Sequence, residues 1–290
     1  MQVLVIGAGF MGAGIAQVCA QAGYAVHLTD VDRAVVDKAL RAMRRSVEKL
    51  SAKGLVNDSP AQVLARLTPE KDLSCAGQVD WVIEAVWEEE QLKREIFQEL
   101  DRLARPATPL ATNSSSIPIT RLAATTKHPE RMLGLHFFGP VPLMRLVEVI
   151  KGEKTSQDVF ERGVAFVRSV GKTPVRVQRD IPGFVMNRIF SAAFREAVDL
   201  VEQGIVSPED IDVGMRLGYG WTAGPFEIAD NAGLDTIARV GRSIQALGAD
   251  HLAFTSDLIE RMVAEGRLGR KVGKGFYNYD AEGKRLTNTK

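Results

Sequence analysis

Val3-Leu4-Val5-Ile6-Gly7-Ala8-Gly9-Phe10-Met11-Gly12 opens the chain with an apolar run that breaks into a G-x-G-x-x-G turn. Beyond the turn, Met11-Gly12-Ala13-Gly14-Ile15-Ala16-Gln17-Val18-Cys19-Ala20 reads as a helix, and Gly23 stops it. A second strand, Ala25-Val26-His27-Leu28-Thr29, follows and ends on Asp30. The glycine pattern alone is weak, but strand, turn, helix, strand and acid in this order predict a dinucleotide-binding βαβ unit. Gly7 takes the tight turn, Gly9 lets the backbone approach a pyrophosphate, and Gly12 lets the helix pack close to the sheet. With Phe10 and Met11 they form the candidate cofactor turn, where helix N–H groups and the positive dipole end meet the phosphates. Asp30 is placed to accept hydrogen bonds from a ribose. A carboxylate there repels a 2′-phosphate, which carries roughly two negative charges. Arg33 argues the other way, but Asp30 and Asp32 outweigh it. NAD is the expected cofactor.

The whole composition narrows the class. The 290 residues suffice for one large or two ordinary domains, and 37 basic against 36 acidic residues leave a formal charge of +1. That balance gives no bulk electrostatic case for nucleic acid or a membrane. Cys19 and Cys75 have no C-x-x-C partners, so neither a disulfide framework nor a zinc site is expected. The chain enters its first strand without a basic n-region, and no apolar run approaches the ~20 residues of a membrane span. A cytoplasmic protein is expected, with no metal.

Residues 33–53 read as an amphipathic helix with Ala34, Val35, Ala39, Leu40, Met43, Val47 and Leu50 on one face. Lys38, Arg41, Arg44, Arg45, Lys49 and Lys53 form the other, either a solvated face or a strip for the phosphates of a nucleotide-tailed ligand. A Ser59-capped helix is expected over 60–66. The strand Asp80–Val86 leads to Glu88 and a helix over 89–104 carrying Lys93. Strand ends in a doubly wound sheet face the ligand crevice, so Glu88 and Lys93 are candidates for the cofactor riboses, with a solvated helix lysine the plain alternative. The short strand 110–112 delivers the polar loop Asn113-Ser114-Ser115-Ser116, suited to substrate hydrogen bonds or to capping the helix start that follows.

A second focus lies at Arg131-Met132-Leu133-Gly134-Leu135-His136-Phe137-Phe138-Gly139-Pro140, a strand ending on histidine. Twelve residues past His136, Glu148 interrupts the apolar strand Leu146-Val147-Glu148-Val149-Ile150. Burying that charge is costly without a partner, and the economical partner is His136. Such a pair fixes one imidazole tautomer and suits proton abstraction from an alcohol. A helix over 155–170 and a strand over 172–177 complete the sheet. After Asp180-Ile181-Pro182-Gly183 the period becomes helical, from 184 to 203, after the Ser207 cap, after Pro225, and over 234–247 and 256–266. The expected architecture is α/β, a Rossmann-like doubly wound sheet over 1–181 followed by an all-α domain over 182–290. Leftover apolar helix faces make a homodimer through the second domain the expected assembly.

Taken together, Met11-Gly12 in its turn, Asn113–Ser116, His136-Phe137-Phe138-Gly139-Pro140-Val141-Pro142, Leu146-Val147-Glu148-Val149 and Gly183-Phe184-Val185-Met186-Asn187-Arg188 resemble the L-3-hydroxyacyl-CoA dehydrogenases. The likeness runs to Gly273-Lys274-Gly275-Phe276-Tyr277 and is nearest the short, single-function 3-hydroxybutyryl-CoA type. It implies NAD-linked oxidation of a 3-hydroxyacyl-CoA to the 3-ketoacyl-CoA. His136 is then the general base, Glu148 orients it, and Ser115 and Asn187 hydrogen-bond substrate oxygens. Asp30, Glu88, Lys93, Ser115 and Lys271 match cofactor-contacting positions, and Ser46, Lys53 and Ser115 match positions that meet the CoA substrate. One departure stands out: the family usually has Asn where this chain has Gly139. A dehydrogenase of the 6-phosphogluconate type would use a junction-helix lysine, but this helix offers Asn187-Arg188. A non-catalytic dinucleotide binder has Gly139 in its favour and the His136–Glu148 pair against it.

Overall fold

In the computed structural model, which describes residues 1–247 and 256–286, the chain divides into two compact units, Met1–Ile181 and Pro182–Lys290. The first holds eight strands: β1 (Gln2–Ile6), β2 (Ala25–Thr29), β3 (Leu67–Pro69), β4 (Trp81–Glu84), β5 (Leu110–Thr112), β6 (Met132–Phe137), β7 (Leu146–Ile150) and β8 (Thr173–Val177). Their order across the sheet is β3-β2-β1-β4-β5-β6-β7-β8. All neighbours are parallel except β6 and β7. Residues 138–145 are too few for the crossover of a dozen or more that a parallel partner needs, so β7 turns back.

The helices of this unit are α1 (Phe10–Gln21), α2 (Arg33–Ser51), α3 (Pro60–Leu64), α4 (Glu90–Leu103), α5 (Ile119–Ala123) and α6 (Gln157–Ser169). Apolar strands without polar alternation mean a sheet covered on both faces. The core divides accordingly: Val3 and Val5 join Ile15, Met43 and Phe160 on one side, while Leu4 and Ile6 join Phe97, Leu100 and Leu122 on the other. Each fully buried side chain of this size contributes about 1.5–3 kcal/mol. On α4, Lys93, Phe97 and Leu100 make the buried stripe. The buried Arg131 ties the end of α4 to the turn beyond it, donating to the Arg105 and Asp101 carbonyl oxygens and to Asp101 Oδ1 at 2.6, 3.0 and 2.8 Å.

Three local expectations need correction. β3 was not foreseen: three residues ending in proline at a sheet edge carry too little alternation to stand out. On α2 the buried positions are Val36, Ala39, Met43 and Val47, and Ala34 lies outside the core. Asp32 caps the helix by accepting from the Ala34 N–H at 2.8 Å, which turns Ala34 outward and Val36 inward. The helix also ends at Ser51, so Lys53 sits in the following turn, where Gly54 adopts φ +68°.

The second unit comprises α7 (Met186–Glu202), α8 (Pro208–Tyr219), α9 (Pro225–Ala232), α10 (Leu234–Ala246) and α11 (Asp257–Ala264). Its core centres on Phe194, Phe226 and Phe276, whose rings meet edge-on at 4.6–6.3 Å. Ser207 caps α8 through the Asp210 N–H. Two buried aspartates stitch the tail to the helices. Asp212 accepts from the Phe226 and Glu227 N–H groups and the Tyr277 hydroxyl, and Asp230 from the Phe276 and Tyr277 N–H groups and the Tyr279 hydroxyl, all within 3.0 Å. Burial pushes both carboxyls above the usual aspartate range. α7 begins two residues later than the periodicity suggests, because Phe184 takes φ +48°. That conformation costs a non-glycine residue about 1–3 kcal/mol, and the fully buried ring holds it there.

Candidate active site

The glycine turn carries its own evidence of what it is shaped to hold. Gly7 adopts φ +94°, and a Cβ on it would lie 2.6 Å from the Ala85 carbonyl oxygen. A Cβ on Gly12 would fall 1.8 Å from the Gly7 carbonyl oxygen, so the start of α1 can approach the turn only without one. Gly9 differs: no atom lies within 4 Å of its Cβ position, which leaves space for a ligand against the backbone. α1 starts at Phe10 with no side-chain cap, so the first-turn N–H groups face outward as anion donors. Asp30, at the end of β2, braces the turn by accepting from the Ala8 N–H at 2.7 Å, and keeps further acceptor capacity for a ribose. Asp32 is spent on capping α2, and Arg33 pairs with Asp37 at 2.9 Å. These residues fit a dinucleotide.

The second cluster forms at the ends of β4, β5 and β6. β6 and β7 pair with His136 directly opposite Glu148, so the two side chains rise on the same face. His136 Nδ1 and Glu148 Oε2 lie 2.7 Å apart, with His136 4% exposed and Glu148 fully buried. With Nδ1 donating to the carboxylate, Nε2 carries the lone pair, and the Ser115 hydroxyl donates to it at 3.1 Å. Asn113 ties the serine loop to the strand by accepting from the Phe137 N–H at 2.9 Å.

Glu88 organises that loop. Its Oε1 accepts from the Ser114 hydroxyl at 2.6 Å, from the Ser115 and Ser116 N–H groups at 2.8 Å and from the Ser116 hydroxyl at 3.0 Å. Burial works against its charge, but Lys93 and the serine donors outweigh burial and hold the carboxyl below the usual glutamate range. Lys93 is not a solvated helix lysine. Its side chain is 1% exposed, and its ammonium donates to Glu84 Oε1 at 2.6 Å and faces Glu88 Oε2 at 3.4 Å.

Two residues of this cluster escaped the sequence reading. Glu84 is fully buried, holds Lys93, and accepts from the Thr112 hydroxyl at 2.6 Å and the Val86 N–H at 2.7 Å. Its signal was present, an acid closing the apolar run Trp81-Val82-Ile83, the same feature that marked Glu148. Lys172, read as the first residue of a strand, instead sends its ammonium under the turn after His136, donating to the Val141 and Met144 carbonyl oxygens at 2.6 and 2.8 Å. Burial and the nearby Arg145 lower its pKa. Sequence spacing offered no signal for that contact.

The remaining candidates sit on other elements. Ser46 is half-buried on α2, and Lys53 is exposed beyond its end. In the helical unit, Asn187 is the second residue of α7, and Lys271 pairs with Asp235 at 2.5 and 2.7 Å. Cys19 and Cys75 are both free and buried, and burial pushes their thiols up to about 12 and about 11. The fold also gathers His27, Glu70 and Cys75, whose ligand-type atoms lie within 4.8 Å of one another, a group that sequence spacing did not reveal. There His27 Nδ1 meets Glu70 Oε1 directly at 2.7 Å.

Comparison with known proteins agrees across both units. Residues 2–181 match the family model of the 3-hydroxyacyl-CoA dehydrogenase NAD binding domain, and residues 183–279 match that of its C-terminal domain. A probable 3-hydroxybutyryl-CoA dehydrogenase of Deinococcus radiodurans is 42% identical over 96% of this chain and all of its own length. The human mitochondrial hydroxyacyl-coenzyme A dehydrogenase is 40% identical over 96% of this chain and 90% of its own. The crystal structure of (S)-3-hydroxybutyryl-CoA dehydrogenase PaaH1 from Ralstonia eutropha superposes with a TM-score of 0.88 at 39% identity, covering 96% of this chain and 99% of that one.

Proposed function

The chain belongs to the 3-hydroxyacyl-CoA dehydrogenase family, an NAD-dependent oxidoreductase, and from that premise we propose that it oxidises short-chain L-3-hydroxyacyl-CoA, 3-hydroxybutyryl-CoA foremost, with a His136–Glu148 pair as the proton-transfer machinery. The observation that carries this reading is the buried contact of 2.7 Å between His136 Nδ1 and Glu148. The short-chain preference rests on the names of the relatives, several of which are 3-hydroxybutyryl-CoA enzymes.

Bound NAD supplies the hydride acceptor. Every other element of the step belongs to the chain. His136 Nε2 takes the proton of the substrate 3-hydroxyl, and Glu148 stabilises the imidazolium that forms. Ser115, bonded to Nε2, positions that hydroxyl, and Glu88 and Lys93 hold Ser115 in place and complete the ribose side of the cofactor site. Asn187 and Lys271 contribute from the helical unit, Asn187 to a substrate oxygen and Lys271 to the cofactor. Ser46 and Lys53 meet the CoA portion beside the basic face of α2. In the reverse direction His136 returns the proton to the 3-keto oxygen.

We further infer a homodimer formed through the helical unit. Its support is exposed apolar surface on α8, where Val213 and Leu217 share one face and Leu217 and Tyr219 are 84% and 80% exposed. Among the described residues no helix is long and apolar enough to cross a membrane. Two free cysteines support a reducing, cytoplasmic setting.

The test is oxidation of NADH by acetoacetyl-CoA, followed at the nicotinamide absorbance band, with His136→Gln beside the parent protein. Turnover should fall by several orders of magnitude in the variant while NADH binding stays within a few-fold. A variant with near-parental turnover removes His136 from the reaction. A parent protein that binds NADH yet consumes none with acetoacetyl-CoA or longer 3-ketoacyl-CoA substrates overturns the substrate assignment.

A further inference from the structure

The turn that follows His136 runs along the first two turns of α1, and two glycines mark the approach. A Cβ on Gly14 would lie 2.8 Å from Val141 Cβ, and a Cβ on Gly139 would lie 2.6 Å from Phe10 Cε1 and 3.3 Å from Met11 Sδ. The two contacts differ in kind. Val141 is 1% exposed and part of the core, whereas Phe10 is 70% exposed. Gly139 is not among the glycines with positive φ, so its backbone conformation suits any L-residue. The severest bar to a side chain at 139 is the phenyl ring, with Met11 Sδ the looser neighbour. Conversely, the ring can lie there only because residue 139 has no side chain.

Phe10 is also the first residue of α1, directly after Gly9 and its open Cβ position. The ring therefore stands between the phosphate-binding turn and the turn leaving His136. A phenylalanine left this exposed gains its hydrophobic contribution only when something flat and partly apolar covers it. The nicotinamide half of the dinucleotide is such a group, and it must lie on this side to reach His136.

We propose that Phe10 and Gly139 form a mutually exclusive pair: the Phe10 ring fills the space of a side chain at 139 and is the apolar wall that the nicotinamide end of NAD(H) covers, so the pair sets dinucleotide affinity. The choice of the nicotinamide end rests on the catalytic reading of His136. The coupling of the two residues does not.

The experiment is a double-substitution cycle on the full-length protein, with NADH affinity read from nicotinamide fluorescence in the absence of acyl-CoA. Phe10→Ala should weaken NADH binding about three- to tenfold, and Phe10→Tyr, which keeps the ring, should bind as the parent does. Gly139→Ala should weaken binding similarly in the parent and by less than twofold in the Phe10→Ala background. With acetoacetyl-CoA, the loss should appear in KM for NADH, with kcat within about twofold. A Phe10→Ala protein binding NADH within twofold of the parent overturns the proposal, as does an equal effect of Gly139→Ala in both backgrounds. If Gly139→Ala fails to fold by circular dichroism, the Phe10→Ala and Phe10→Tyr comparison alone decides. Since binding is read without substrate, loss of the acyl-CoA assignment and loss of this pair are separate results.

Discussion

Replacing Glu148 with glutamine removes a charge while keeping the shape of a buried side chain. In the parent protein the carboxylate lies 2.7 Å from His136 Nδ1, and the side chains are 0% and 5% exposed. When His136 takes up a proton, the new ion pair is worth at most about 6 kcal/mol at an effective dielectric of ~20. The glutamine oxygen can still accept from Nδ1–H, so the imidazole keeps its orientation and part of that energy. A loss of roughly 3–5 kcal/mol in the transition state follows, equivalent to a fall in kcat of about 10²- to 10⁴-fold. The assay is NADH oxidation by acetoacetyl-CoA under saturation, with NADH affinity measured separately and folding checked by urea denaturation. Affinity should hardly change, because the carboxylate supports the imidazole from the side opposite Ser115. A kcat within tenfold of the parent value, in a folded protein, would refute the idea that this carboxylate carries the proton-transfer step. So would an NADH affinity that falls as steeply as kcat.

Further outcomes follow from the surrounding network. Lys93→Met leaves Glu84 as a buried carboxylate still held by Thr112 and Val86 but without its cation, and should destabilise the protein by about 3 kcal/mol in urea denaturation. Glu84→Gln combined with Lys93→Met should recover most of that loss, and failure to recover would show that the lysine acts by packing rather than by charge. Acidification should act first on the sheet unit: burial opposes the charges of Glu88 and Asp101, yet Lys93 with the serines and Arg131 respectively hold both carboxyls low. Because the unfolded chain takes up these protons more readily, their stabilisation is complete above about pH 4.3 and is lost as pH falls through the folded-state values. In the helical unit burial raises Asp212 and Asp230, while Glu227 and Asp235 are held low, so the two trends offset. Amide exchange, corrected for intrinsic rates, should therefore rise below about pH 4 in α4 and the 114–116 loop before α8 and α9, and the reverse order would contradict this account. The proposed dimer predicts that the parent sediments as two chains and that Leu217→Arg sediments as one without losing its helices, and a sedimentation coefficient unchanged between the two would remove α8 from the proposed interface.

The first 33 residues determined the α/β class and the NAD preference by themselves, because each of their signals is local. A tight turn at Gly7, a close approach at Gly12 and an acid at the end of a five-residue strand depend on neighbours in the chain and on steric facts true of any fold. The acid in the apolar run around Glu148 likewise announced a buried partner, since an unpartnered charge there is too costly. Which residues meet across the molecule was a different matter. The register of β6 against β7 sets His136 opposite Glu148, and a slip of one residue would have turned them to opposite faces of the sheet. Glu84 carried the same mark as Glu148, but only the packing of α4 showed that Lys93 answers it. Lys172 reaches the turn after His136 from the residue just ahead of β8, and Phe10 lies against Gly139 because two turns far apart in sequence converge. Local sterics and periodicity are written residue by residue. Register, burial and long-range convergence exist only once the chain has closed on itself.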